Sequence, residues 1–528
     1  MVLSVSSFAM AAEVTVTTEA DLKTAVQSDN NITLGGNIAL NNTLIIPAGV
    51  NVTLNLGGYT LSFTTDFAGT TALIENKGTL TIEGPGTISN TATNTDTVWA
   101  PGFPAYANNT ISNRGKLTVN GGTIENNSVG GACYSIDNYS GGNVEINGGE
   151  ILNHNNVAIR QFIGNNNKVT ITGGTVTGKR DVWMQLASSD PSVAPNDVSL
   201  TVTGGTLTCN TEGELAIYLY SYGNSTDNVE IDISGGTING DIGLMGGQKN
   251  GTPDVSISGG TMTVVEDYSG RLSGIISGGE FSEKPAATMI DDDKVAVGDD
   301  DGEGYVIGEK STDSVAIDVT PASLDFGSET VGYAAPAAKK IIVTNIGTSK
   351  VYVSQPTDND YTVTIASGDL ELDPSEAVEF NVVPETGLSA GQHNATFSIN
   401  ASDYSDSTNA SATTVMKQVA VSFTVNTKPS TGSGISVKYN GGNSFSTSKS
   451  DVPTSVEIDG VPVTFNGNGS SFSVGCISSD AKWVTVRWNS TSVTTNFTPD
   501  GLVECSAVSI PKTGDMPFWA AVAAFFGF

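Results

Sequence analysis

One phrase, written over and over, constrains this chain more than any other feature: a β-rich run, two glycines and a second β-rich run. It reads Leu-Thr-Val-Asn-Gly-Gly-Thr-Ile from Leu117 to Ile124, Val-Glu-Ile-Asn-Gly-Gly-Glu-Ile from Val144 to Ile151, and Val-Thr-Ile-Thr-Gly-Gly-Thr-Val from Val169 to Val176. The phrase returns from Leu200, Ile231, Val255 and Gly274, and a Gly-Pro-Gly variant from Leu80 to Ile88 reads as the start of the series. Gly121, Gly148, Gly173, Gly204, Gly235, Gly259 and Gly278 open the pairs, so the spacing runs from 19 to 31 residues. That is the range in which one supersecondary unit stacks on copies of itself. Alternation of Val, Ile and Leu with Thr, Asn, Glu and Ser has period 2, so each phrase is a strand with one buried face. The glycine pair frees the backbone for a sharp corner between its two halves.

A stacked coil needs another strand per repeat, and each phrase has one nearby: Ala72 to Asn76, Thr110 to Asn113, Tyr134 to Asn138, Val157 to Gln161, Val182 to Gln185 and Leu215 to Tyr220. Aligning them puts Ile74, Ile111, Ile136 and Ile159 in one interior column. Asn76, Asn113, Asn138 and Gln161 then form a second column two residues on, where side-chain amides can bond from rung to rung as a structural ladder. The fold class that follows is all-β: a right-handed parallel β-helix, then an immunoglobulin-like β-sandwich, then a small C-terminal β module.

With 528 residues the chain is too long for one small core, and its composition shifts along its length. Lys and Arg number 23 against 55 Asp and Glu, a net charge of −32, which excludes nucleic acid or an anionic membrane as a partner by bulk electrostatics. Charged residues are only 15% of the chain, a texture of secreted all-β proteins rather than of acidic disordered tails. Four cysteines make no disulfide scaffold. Cys133 and Cys209 lie three coils apart, roughly 14 Å at the spacing of stacked strands, and read as buried thiols outside disulfide reach. Cys476 and Cys505 share one small module, where they can pair or stay reduced.

Residues 1–12 carry an apolar run that ends Ala9-Met-Ala11 and resembles the second half of a secretory signal peptide, whose basic start is then expected before Met1. Thr18-Glu-Ala-Asp21 resembles a capping box, and Leu22, Ala25 and Val26 share one face of a short helix suited to covering the first coil. On the repeat, residues 13–310 resemble the right-handed β-helix, pectate-lyase-like region of surface proteins from Gram-positive, Clostridia-type bacteria. That resemblance implies a fold and leaves the activity open. The repeat closes near Phe281, and Ala296-Val297 with Gly304 to Ile307 read as a terminal hairpin capping the last coil. Calcium is conceivable at Asp291 to Asp293 and Asp299 to Asp301, but their spacing fits no known calcium loop and a solvated turn is the expectation. No other cofactor or metal is expected.

Residues 311–427 contain short alternating strands, from Ile317 and Lys340 to Val419 to Val425, which argue an antiparallel sandwich. The Leu-Asp-Phe-Gly start at Leu324 and the Thr-Asn-Ile-Gly turn at Thr344 resemble immunoglobulin-like spacer modules. Residues 428–434 are a linker by composition, and 435–508 a further small β module. Trp483 and Trp488 there are five positions apart and so face opposite sides of a strand, one in the core and one at the surface. At 509–528, Ile510, Pro511, Lys512, Thr513 and Gly514 precede an apolar run. They resemble the Leu-Pro-x-Thr-Gly signal that sortase cleaves between Thr and Gly to join a protein to peptidoglycan, with Ile510 in place of Leu. The apolar run is too short to span a bilayer and lacks a basic tail, so the signal reads as truncated. The resemblance implies a monomer secreted and covalently anchored to the cell wall.

Polygalacturonase-like chemistry needs clustered Asp residues and a Gly-His-Gly, whereas the only histidine of the repeat is His154, flanked by asparagines. Lyase-like chemistry needs calcium carboxylates beside a basic residue, for which Arg160, Arg180 and Asp181 are the candidates, with Lys179 and Asp137 nearby. Register puts Glu75, Ser112, Asp137 and Arg160 in one outward column and Lys77, Arg114, Tyr139 and Phe162 in another. With Trp183, Tyr218, Tyr220 and Tyr222 these can form a carbohydrate-binding face of aromatic platforms and polar groups. The expected function is an adhesin binding glycan or host matrix. A lyase or hydrolase of acidic glycans, or a stalk without a ligand, are the alternatives.

Overall fold

The computed structural model describes residues 12–63, 72–91, 98–100, 103–105, 109–128, 133–139, 141–162, 165–186, 197–221, 228–245, 253–405, 411–427, 435–467, 470–475, 477, 481–488 and 491–497. Among the described residues the regular structure is nearly all β, with two long, largely parallel sheets followed by smaller antiparallel ones. It divides into two compact units. One comprises Met1–Asp325, Pro336–Pro384 and Ala395–Val421, and the other Phe326–Ala335, Glu385–Asn394 and Ser422–Phe528.

Each coil runs through three strands. In one repeat Lys116–Val119 and Thr123–Asn126 flank the glycine pair, and Ile136–Tyr139 follows. Each strand pairs in parallel with its counterpart one coil away: Leu117 faces Leu80 and Val144, Ile124 faces Ile88 and Ile151, and Ile136 faces Ile111 and Ile159. The inward Val, Ile and Leu form one continuous core from Val16 to Met289. Stacking buries what no single repeat can bury alone. In the later coils the two strands around the glycines merge into single long strands, Asp197–Cys209 and Asn228–Asn239.

The glycine pair is required twice over. Gly174 has φ +75, and a Cβ on Gly173 would lie 2.5 Å from the carbonyl oxygen of Asn147 in the coil before. Left-handed backbone and a close approach between coils both demand the absent side chain. The series also begins earlier than Leu80. Gly35-Gly36 and Gly57-Gly58 turn the same corner, because Ile38 pairs with Leu61 and Leu61 with Ile88. An extra residue before each pair, Leu34 and Leu56, and another after the second, Tyr59, hide the phrase in the sequence.

Both ends are covered. Helix Glu19–Ala25 buries Leu22 and Ala25, and Thr18 accepts from the Asp21 backbone N–H. The Asp21 carboxylate accepts from the Thr18 hydroxyl at 2.7 Å, so this cap is not the reciprocal box that Glu makes. At the other end Lys294–Gly298 and Tyr305–Glu309 form an antiparallel hairpin, and Phe281 of the last coil faces Tyr305. The Asp299 carboxylate accepts from the Gly302 and Glu303 N–H groups, which makes it part of a turn.

Beyond the hairpin, Ile317–Thr320, Lys339–Asn345, Ala377–Pro384 and Tyr361–Ser367 form one antiparallel sheet. A five-stranded sheet accompanies it, and Tyr361 of the first meets Phe397 of the second edge to face at 5.9 Å. In the second unit two four-stranded sheets enclose Phe445, Phe472, Val484 and Trp488. Trp488 is buried and Trp483 half-buried, as opposite faces of one strand require. Cys133 is buried, but Cys209 is only half-buried, because its coil corner lies at the surface. Residues 1–11, Tyr222, the 428–434 linker, Cys476, Cys505 and the motif from Ile510 to Gly514 lie outside the described residues.

Candidate functional site

The third strands of the coils stack into a nine-stranded parallel sheet. Its order follows the chain, from Leu44–Ile46 to Val265–Asp267, so a column of side chains can be read by register alone. Asn76 donates to Asn113 at 2.7 Å, and Asn113 to Asn138 at 2.8 Å. The ladder stops there. Asn138 donates to the carbonyls of Gly142 and Lys168, and Gln161 to those of Asn167 and Ser199. Gln161 aligns with Met184 on the next rung, which offers no amide to continue the series. A second column, Asn90, Asn126 and Asn153, went unread in the sequence. Asn126 and Asn153 donate to the carbonyls of Tyr134 and Cys133, stitching the opposite corner.

The expected outward column of Asp137 and Arg160 has the right register and the wrong environment. Asp137 is 2% exposed and Arg160 1%. Arg160 donates from Nε and one terminal nitrogen to the two Asp137 oxygens, at 2.9 and 2.8 Å, a bidentate pair. Its guanidinium also lies 4.2 Å from the ring centres of both Tyr134 and Phe162. Asn109 Nδ2 donates to Asp137 Oδ2 at 2.9 Å. Arg160 is thus bound on its edge and covered on its faces, and is not placed to take a proton from a substrate. Tyr134 and Asn109 complete this cluster without having been singled out, since nothing in a period-2 pattern marks which outward residues will be covered.

Asp181, the weak catalytic candidate, is also buried. Its Oδ1 accepts from the Gly178 N–H, and burial pushes its pKa up to about 8 despite that bond. Arg180 points the other way, toward the surface, and pairs with Glu214 at 2.5 Å, while Lys179 shares the same carboxylate at 3.0 Å. Glu214 was not foreseen as their partner, because it lies in the loop before the next strand. Arg160 and Arg180 therefore have separate carboxylates and do not converge on one cluster. Among the described residues no group of three or more His, Cys, Asp or Glu is arranged to hold a metal ion.

The aromatic residues do come together. Trp183 and Tyr218 are register partners on adjacent rungs, with ring centres 6.4 Å apart and planes 17° from parallel. Tyr220 lies 5.8 Å from Tyr218, and all three rings are half-buried. Tyr134 closes one end, edge to face with Trp183 at 6.4 Å. The Arg180 guanidinium stands 5.0 Å from the Tyr218 ring centre and 5.9 Å from that of Trp183, within cation–π range. The Trp183 indole N–H and the Arg180 Nε–H have no hydrogen-bond partner among the described residues. Tyr139 is not part of this row: it lies beside Phe162, three rungs before Tyr220, under the Arg114 guanidinium at 4.4 Å. Burial raises its phenol pKa, more than Arg114 lowers it.

No protein-family model matches the sequence, and no curated protein does. Solved structures give partial likenesses. The Salmonella enterica SafA pilin in complex with the SafB chaperone is 11% identical over 36% of this chain and 99% of that one, with a TM-score of 0.16. The Escherichia coli chaperone DraB is 10% identical over 35% and 98%, with a TM-score of 0.15. The Vibrio cholerae VesB protease is 14% identical over 24% and 40%, also at 0.15. Likenesses of that size carry no argument about fold or activity.

Proposed function

We propose that this is a glycan-binding surface protein whose coils form a right-handed parallel β-helix, followed by an immunoglobulin-like spacer and a small β module. The observation that carries the reading is the row formed by Trp183 on one rung and Tyr218 and Tyr220 on the next. Rings held 5.8 and 6.4 Å apart offer apolar platforms to successive sugars, and Arg180 with Lys179 supplies donors beside them. Two hydrogen-bonding groups at the row, the Trp183 indole and Arg180 Nε, have no partner among the described residues. A buried group of that kind calls for an explanation, and a ligand hydroxyl drawn against the row is one.

Catalysis has less to rest on. A lyase built on Arg160 needs that side chain reachable, and it is held between Asp137, Tyr134 and Phe162. The motif from Ile510 to Gly514 supports export and sortase-dependent attachment to peptidoglycan, which puts the glycan-binding face outside the cell. Incubating the full chain with a sortase and a triglycine acceptor tests the anchor. A covalent adduct at Thr513, lost in Thr513→Ala, is the expected result.

A glycan array probed with the full chain, with and without calcium, tests the binding. The reading expects hits without release of reducing or unsaturated sugar. Product that disappears in Arg180→Ala would instead favour the enzyme, and silence on the array would favour a stalk or a protein ligand.

A further inference from the structure

The terminal hairpin does more than close the last coil, because its outer side is occupied by the strands that come after it. The Tyr305 hydroxyl donates to Glu379 Oε1 at 2.5 Å, and Lys340 Nζ lies 3.4 Å from the other oxygen of that carboxylate. Lys284 Nζ, from the segment just after the last coil, donates to the Ser375 carbonyl at 3.2 Å. The Ser311 N–H donates to the Ile346 carbonyl at 2.7 Å, so the connecting chain is itself pinned.

The packing is as close as the hydrogen bonding. A Cβ on Gly298 would lie 2.2 Å from Thr320 Oγ1 and 2.9 Å from Ile342 Cβ, and one on Gly302 would lie 3.0 Å from the Lys340 carbonyl oxygen. All these residues belong to one compact unit. Burial and the Glu379 carboxylate raise the Tyr305 phenol above its usual range. Burial tends to raise Glu379 too, but the Tyr305 bond and the Lys340 charge outweigh it and hold the carboxyl below its usual range. The pair therefore stays a phenol donating to a carboxylate across the neutral range.

We propose that this hairpin is a built-in joint, fusing the coils to strands Lys339–Asn345 and Ala377–Pro384 as one rigid body that unfolds as a unit, in place of a flexible tether. Closely packed interfaces are bistable rather than continuously deformable, so a joint of this kind is either seated or open. Its thermodynamic signature is shared unfolding, whatever the coils bind.

Hydrogen exchange of the full chain across a urea series, read by mass spectrometry, tests it. In the native protein, peptides from 276–309 and from 339–384 should lose protection at one urea midpoint. Tyr305→Phe removes only the hydrogen bond and should lower both midpoints together. Gly298→Leu drives a side chain into Thr320 and Ile342 and should split them. Separate midpoints in the native protein would overturn the proposal. So would a Tyr305→Phe shift confined to one set of peptides, or a folded Gly298→Leu protein whose midpoints remain joined.

Discussion

The Arg160 guanidinium meets both carboxylate oxygens of Asp137 one rung away, at 2.9 and 2.8 Å, where both side chains are all but fully buried. Removing the cation alone leaves a buried, uncompensated carboxylate. Arg160→Ala should therefore destabilise the coils by about 3–5 kcal/mol in urea unfolding. Arg160→Lys should rescue little, because an ammonium neither spans both oxygens nor stacks between the Tyr134 and Phe162 rings.

Asn113 is the middle of its ladder, accepting from Asn76 and donating to Asn138. Asn113→Ala strands a buried donor on one side and a buried acceptor on the other, at a cost of roughly 2 kcal/mol or more. Gln161→Ala should cost about 1 kcal/mol, since Gln161 bonds only to backbone carbonyls and its own oxygen has no partner among the described residues. Chemical denaturation of the two variants side by side checks the order.

Asp181 gives stability a pH slope of defined sign. Its folded pKa of about 8 lies above the unfolded value, so between roughly pH 4 and 8 the folded chain holds the extra proton. Its contribution is then present below pH 4 and lost as pH rises toward 8, by at most about 1.4 kcal/mol per pH unit. Asp181→Asn should flatten that part of the profile in urea midpoints measured from pH 4.5 to 8.5. An unchanged slope would contradict the assignment.

The corner glycines separate into those that stack and those that do not. Gly173→Ala places a methyl group 2.5 Å from the Asn147 carbonyl oxygen and should cost about 1–3 kcal/mol by thermal or urea unfolding. Gly36, with nothing within 4 Å and no left-handed φ, should tolerate Ala within about 0.5 kcal/mol.

Much of this architecture is legible in the residues, and the exceptions have physical causes. Alternation together with a fixed glycine corner sets the register, which is why Ile74, Ile111, Ile136 and Ile159 fall in one column and Trp183 beside Tyr218. Direction is not exposure, however. Arg160 points away from the core as period 2 demands, yet Tyr134 and Phe162 cover it, and that depends on side-chain rotamers no periodicity encodes. The ladder fails at Gln161 because its side chain turns to the Asn167 and Ser199 carbonyls, and the first glycine corners were missed because an extra residue before each pair, Leu34 and Leu56, lengthens the phrase.

The central claim is that the row of rings on the nine-stranded sheet is the glycan-binding face. Its most direct test is isothermal titration of the strongest array oligosaccharide into the full chain and two variants. Trp183→Ala with Tyr218→Ala removes the row, and Tyr59→Ala removes an exposed ring elsewhere on the coils. The account predicts that the double variant weakens binding at least about tenfold, the loss expected of aromatic anchors, while Tyr59→Ala binds as the native chain does. Equal affinity in all three proteins would contradict it.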